Sequence, residues 1–161
     1  RYREVILRKT ATLFEAGAQL AAIASGTDRT IEKALGDYGR HLGMAFQMID
    51  DALDYGSAGV DIGKNLGDDL SEGKPTLPLI RAIEQSTAKT REMLRSAIEH
   101  GGVDSVDDVL AAIESTDAIA YTARLATAEA NEAKRALDAL PPSAFRSALE
   151  VLADFSVERS F

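Results

Sequence analysis

Cysteine is absent from this sequence. Without a thiol the chain forms no disulfide and does no thiolate chemistry, and its compartment stays open on that count. Positive charge is in deficit, with 18 Lys and Arg against 26 Asp and Glu and a formal net charge of −8. That balance argues against nonspecific nucleic-acid binding, which needs a basic face. It argues equally against an anionic membrane surface as partner. Long apolar runs are also lacking. None approaches the roughly 18 residues of a membrane-spanning helix, so no integral membrane segment is expected. The opening residues, Arg1-Tyr2-Arg3-Glu4-Val5-Ile6-Leu7-Arg8, are too short and charge-interrupted for a signal peptide and read like the inside of a helix. No strand alternation, low-complexity tract or internal repeat is found.

What is present is helical periodicity, nearly throughout. It predicts helices over about 3–25, 30–55, 75–83, 89–99, 104–114, 117–140 and 143–157, an all-α chain within one domain. A chain of 161 residues buries roughly two-thirds of its unfolded surface, enough for a core. Gly26 is a natural stop for the first helix, and Thr27 or Asp28 a cap for the next. The small residues of 16–25 permit close backbone approach. In the second helix Leu42, Phe46, Ile49 and Leu53 follow a 4-3-4 spacing, a core-facing stripe. The alanine stripe Ala123, Ala126, Ala130, Ala133 with Leu137 and Leu140 reads as packing. Gly56 to Pro75 is the one long loop, and a structureless loop of that length is usually functional. His41 reads as a surface or capping residue, and His100 as a favourable charge at a helix C-terminus.

Chemistry concentrates in Gln47-Met-Ile-Asp50-Asp51-Ala-Leu-Asp54. Residues four apart lie one above the other on a helix, so Asp50 and Asp54 share a face, Gln47 joins them one turn back and Asp51 flanks them. That face lies about 100° from the apolar stripe and should border the core. Crowded carboxylates destabilise each other unless a cation sits among them. Magnesium takes one or two carboxylates and completes its shell with water and phosphate oxygens. An Asp-Asp-x-x-Asp pattern among 26 acidic residues also reads as a solvated helix face. Its neighbours Phe46, Met48, Ile49 and Leu53, and the glycine-rich loop that follows, favour the metal platform. In that loop Lys64 and Lys74 each follow a glycine, which lets an ammonium group approach a phosphate closely. Lys9-Thr10 lies on the first helix among apolar residues, where a lysine can also simply snorkel.

Phe46-Gln47-x-x-Asp50-Asp51-x-x-Asp54-Tyr55, followed by Gly63-Lys64-Asn65-x-Gly67-Asp68-Asp69-x-x-Glu72-Gly73-Lys74-Pro75-Thr76-Leu77-Pro78, resembles the second aspartate-rich region of trans-type polyprenyl diphosphate synthases. Lys9-Thr10 matches that family's lysine-threonine pair. The Glu-Gly-Lys-Pro-Thr-Leu-Pro ending is most similar to the long-chain branch, octaprenyl-scale and upward, that makes quinone side chains. The resemblance implies an all-α bundle of the isoprenoid-synthase type. It implies a prenyltransferase that condenses isopentenyl diphosphate with an allylic diphosphate. The allylic diphosphate ionises, the isopentenyl double bond attacks the cation, and a proton is lost. Carried over, Asp50 and Asp54 would be Mg²⁺ ligands with Asp51 supporting them. Lys9 and Lys64 would bind the allylic diphosphate, Thr10 and Gln47 would line the reacting centre, and Lys74 would help close the loop over the phosphates. A cytoplasmic homodimer is the family expectation.

The family's first aspartate-rich motif and its following arginine pair are not found in these residues. Asp68-Asp69-Leu-Ser-Glu72 is a lookalike without the arginines, and Asp104-Ser-Val-Asp107-Asp108 has the wrong order. The chain is thus expected to correspond to the C-terminal half of such an enzyme, inactive by itself. With covering helices missing, Phe46, Ile49 and Leu53 would form an exposed apolar patch or be buried by self-association. A non-catalytic subunit, a terpene cyclase of the same fold and an acidic interaction module are the alternatives. The intact aspartates argue against the first, the Lys64 and Lys74 loop against the second, and Mg²⁺ dependence would exclude the third.

Overall fold

The computed structural model describes residues 1–56, 68–101 and 105–158 of the chain, and every described element is helical. The first helical stretch is α1 (Tyr2–Ile6), a π-helical turn (Leu7–Ala11) and α2 (Thr12–Ala24). Then come α3 (Arg29–Leu53), the short α4 (Asp68–Ser71), α5 (Leu77–Gln85), α6 (Ala88–His100), α7 (Val106–Ser115), α8 (Ala118–Ala136) with a 3₁₀ turn (Leu137–Ala139), and α9 (Ala144–Phe155).

Local chemistry sets the boundaries. Gly26 adopts the left-handed conformation after α2, with φ 69°. The Asp28 carboxylate accepts from Thr30 N at 2.8 Å and Ile31 N at 3.0 Å and so caps α3. Thr87 and Ser143 cap α6 and α9 in the same way, accepting from Thr90 N and Arg146 N. Gly101, φ 76°, ends α6. Two expectations need correction. The Gly56–Pro75 stretch is not structureless, since Asp68–Ser71 forms a helical turn within it, while 57–67 lie outside the described residues. The helix expected from Pro75 begins at Leu77, because Thr76 is extended (φ −76°, ψ 168°) and stands at the N-cap.

The chain divides into two compact units. Among the described residues, one comprises Arg3–Ile49 and 125–158; the other is Asp50–Arg124, with Tyr2. In the first, Tyr38, Leu42, Ala133, Leu137 and Ala153 form a buried core with Phe14, Leu35 and Leu149 packed against it. The Tyr38 hydroxyl donates to the Leu149 carbonyl at 2.9 Å, and burial pushes this phenol up to about 12. The alanine stripe of α8 packs as expected, with Ala126, Ala130 and Ala133 all buried. Close approach between α2 and α3 comes from glycines on α3. A Cβ on Gly39 would stand 2.4 Å from the Phe14 carbonyl oxygen, and one on Gly43 would stand 2.6 Å from Ala11 Cα. In the second unit Leu70, Leu79, Leu94, Val109 and Ile113 form the core together with Tyr55. There the Arg81 guanidinium lies over the Tyr121 ring, 4.4 Å from its centroid.

The expected apolar patch is not where the stripe of α3 suggested. Ile49 and Leu53 are buried, and Phe46 is half-buried with its ring 5.8 Å from that of Phe14. The exposed large apolar side chains are instead Val5, Leu13, Leu20 and Ile23 on the first helical stretch, and Phe145, Val151, Leu152 and Phe155 on α9.

Candidate active site

In the first unit, the site begins with a defect in a helix. Leu7–Ala11 is π-helical, and it contains Lys9 and Thr10. One extra residue in a helical turn rotates the following side chains, and such turns are frequent at functional positions. The Thr12 hydroxyl donates to the Leu7 carbonyl, five residues back, at 2.9 Å. Because Gly43 lets α3 approach Ala11, Thr10 reaches across. Its hydroxyl donates to Gln47 Oε1 at 2.6 Å, and Gln47 is buried. The predicted Thr10 and Gln47 are thus brought together. Lys9, on the same turn, is exposed.

In the second unit, the aspartates bracket the end of α3. Asp54 N donates to the Asp50 carbonyl at 3.2 Å, so the helical spacing persists one residue past the helix. Asp50 is half-buried, and Asp51 and Asp54 are each 3% exposed, which agrees with a face bordering the core. Asp51 Oδ2 accepts from the Tyr2 hydroxyl at 2.6 Å. Asp54 Oδ2 accepts from the Asp69 backbone N–H at 3.1 Å. Lys74 pairs with Glu72 and, at 3.2 Å, with Asp69 Oδ1. Hydrogen bonds to Glu72 and then Asp69 hold its ammonium above the usual lysine range. Lys64 lies outside the described residues.

Among the described residues no three His, Cys, Asp or Glu side chains gather into a metal cage of their own. Magnesium needs none, because it binds through one or two carboxylates and takes water and phosphate oxygens for the rest. Asp50 and Asp54 would offer such an ion hard carboxylate oxygens, and Asp51 is held by the Tyr2 hydroxyl.

Several interactions escaped the sequence reading. Tyr2 supports Asp51 from 49 positions away. Tyr55, buried near these carboxylates, and Thr76, buried at the N-cap of α5, were visible only as motif letters. His41, expected at the surface or at a cap, instead donates from Nδ1 to Glu129 Oε2 at 2.7 Å. Arg3 pairs with the same buried carboxylate.

Residues 1–116 match the family model described as polyprenyl synthetase. The chain belongs to the polyprenyl synthetase family. Its similarity to octaprenyl diphosphate synthases is 47% identity over 161 residues for that of Haemophilus influenzae. It is 48% over 159 residues for that of Escherichia coli. These alignments cover 99% and 98% of this chain but 49% of either relative, so the chain spans about half the length of the curated relatives it matches. Among solved structures, it resembles the polyprenyl synthase of Caulobacter crescentus, determined in complex with calcium and isoprenyl diphosphate. The TM-score is 0.91 at 44% identity, covering 98% of this chain and 49% of that one. The all-α fold is the helical fold of these synthases. No helix among the described residues is long and apolar enough to cross a membrane.

Proposed function

We propose that this chain supplies the diphosphate-ionising part of a prenyltransferase that condenses isopentenyl diphosphate with an allylic diphosphate, building a long-chain polyprenyl diphosphate. One observation carries the reading. The Asp54 carboxylate is bonded to the Asp69 amide, and Asp69 is paired with Lys74, so a hard-cation platform and a phosphate-seeking ammonium belong to one connected segment. The names of the relatives support the same chemistry.

In this reading Asp50 and Asp54 hold Mg²⁺, which when bound neutralises charge on the departing diphosphate. Asp51, fixed by Tyr2, keeps the helix end in register. Lys9, Lys64 and Lys74 bind phosphate oxygens as point charges. Thr10 and Gln47 orient each other beside the carbon where the allylic cation forms. Water must be kept from that cation, and the buried environment of Gln47 suits the task. The proposed enzyme works as a homodimer in the cytoplasm.

The test joins this chain to a partner sequence that carries the first aspartate-rich motif and measures products from farnesyl and isopentenyl diphosphates by mass spectrometry. Asp50→Ala should lower turnover ~10²–10³-fold, the scale of losing one positioned electrostatic stabiliser. It should leave the helical circular-dichroism signal intact. The 161 residues alone should give no product. Near-normal turnover in Asp50→Ala would refute the assigned role.

A further inference from the structure

Glu129, on α8, is a charged side chain almost sealed inside the first unit, and the chemistry proposed above makes no direct use of it. It is 6% exposed. Its two carboxylate oxygens serve two different elements. Oε1 accepts from the Arg3 guanidinium on α1. Oε2 accepts from His41 Nδ1 on α3 at 2.7 Å.

The same two stretches of helix carry the pair assigned to the reacting centre. The first helical stretch supplies Thr10 and α3 supplies Gln47, with the Thr10 hydroxyl donating to Gln47 Oε1 at 2.6 Å. All five residues belong to the first unit. Arg3 precedes Thr10, and His41 precedes Gln47, by roughly two helical turns.

α1 cannot hold that alignment by itself. It is five residues long, has no side-chain bond at its N-cap, and runs directly into the π-helical turn Leu7–Ala11. A helix so short has little stability of its own. Because the π turn adds a residue, the direction of Thr10 depends on the phase at which α1 enters it. Apolar packing does not fill the space here. A cavity of about 380 Å³ opens beside the carboxylate, lined by Leu7 and Met44 together with Arg3, His41 and Glu129. Two further charges on its wall are engaged within their own helical stretches, Glu4 by Arg8 and Arg40 by Asp37. Glu129 instead ties one element to another, and fixing register is the best-attested use of a buried ionic contact.

We propose that Glu129 is a positioning residue for prenyl transfer: by holding Arg3 and His41 it sets the phase of the first helical stretch against α3 and so aligns Thr10 with Gln47. The inference rests on the function proposed above. A carboxylate suits the task because it accepts from both donors at once, whereas an apolar side chain of the same size would fill the space without directing either.

The first test uses the 161-residue chain without substrate. In a proton–nitrogen NMR spectrum, the side-chain amide signals of Gln47 report whether its oxygen accepts from Thr10. Thr10→Val removes the donor and marks where those signals lie once the bond is gone. Glu129→Met fills similar space but accepts from neither partner. It should move the Gln47 signals toward their Thr10→Val positions, and the double variant should move them no further. His41→Ala should shift them the same way. His41→Asn, whose amide N–H can stand in for Nδ1, should return them toward wild type, and this pair decides the matter should Glu129→Met fail to fold. The second test uses the joined enzyme described above. There Glu129→Met should lower kcat about tenfold, less than the ~10²-fold that a full ångström of misplacement can cost. KM for farnesyl diphosphate should hold, and in a Thr10→Val background the further loss should be within about twofold, because both changes break one alignment. Gln47 signals that stay in place while the melting temperature falls would make Glu129 a folding contact and overturn this inference alone, as would losses in kcat that multiply. A joined wild-type enzyme without product would remove the proposed function, and this inference with it.

Discussion

Glu129 shows what a single buried charge does here. It is 6% exposed, and burial alone would raise its pKa; hydrogen bonds from His41 and Arg3 outweigh that and hold it below the ordinary 4.5. A carboxylate with a depressed folded pKa contributes stability that is present above its ordinary value and is lost as the pH falls through the folded value. Glu129→Gln should therefore cost about 1–3 kcal/mol at pH 7, the scale of charged hydrogen bonds. The difference from wild type should shrink below pH 4.5. Urea titrations of both proteins at pH 7 and pH 3.5 measure it; an equal gap at both would show that the charge is not responsible. None of this was legible in the sequence. Arg3 and Glu129 are 126 positions apart and His41 and Glu129 88, and no local pattern announces such pairs. Asp50, Asp51 and Asp54 were legible because their relation is local, set by one helical turn.

Between helices, the decisive residues are the smallest. Gly39 and Gly43 let α3 lie against the first helical stretch closely enough for Thr10 to meet Gln47. Gly39→Ala would place a methyl group 2.4 Å from a backbone oxygen, which cannot swing aside as a side-chain tip could. It should destabilise by about 1–3 kcal/mol, as overpacking does. A thermal melt within error of wild type would show that the helices separate without cost. Existence and type of the long helices followed from periodicity, and their ends fell within a few residues of expectation because Gly26, Asp28 and Gly101 carry clear stop and cap chemistry. The π-helical turn did not follow. One added residue in a turn leaves the surrounding apolar spacing almost unchanged. Asp68–Ser71 was hidden for a similar reason, since four residues are too few to show a period.

For the whole chain, apolar exposure and metal dependence are the properties to measure. Leu13 is 78% exposed and Phe145 84%, beside further apolar neighbours on the same helices. Such surfaces favour association. Light scattering should report dimers or larger species, and a clean 17.2 kDa monomer would contradict the proposed self-association. The most direct test of the account is calorimetric titration of this chain with inorganic pyrophosphate, first in Mg²⁺ and then in EDTA. The account predicts saturable binding in Mg²⁺, no binding in EDTA, and affinity at least about tenfold weaker in Asp50→Ala, the scale of losing a group that holds a metal. Equal affinity in Mg²⁺ and EDTA would contradict the metal platform on which the whole reading stands.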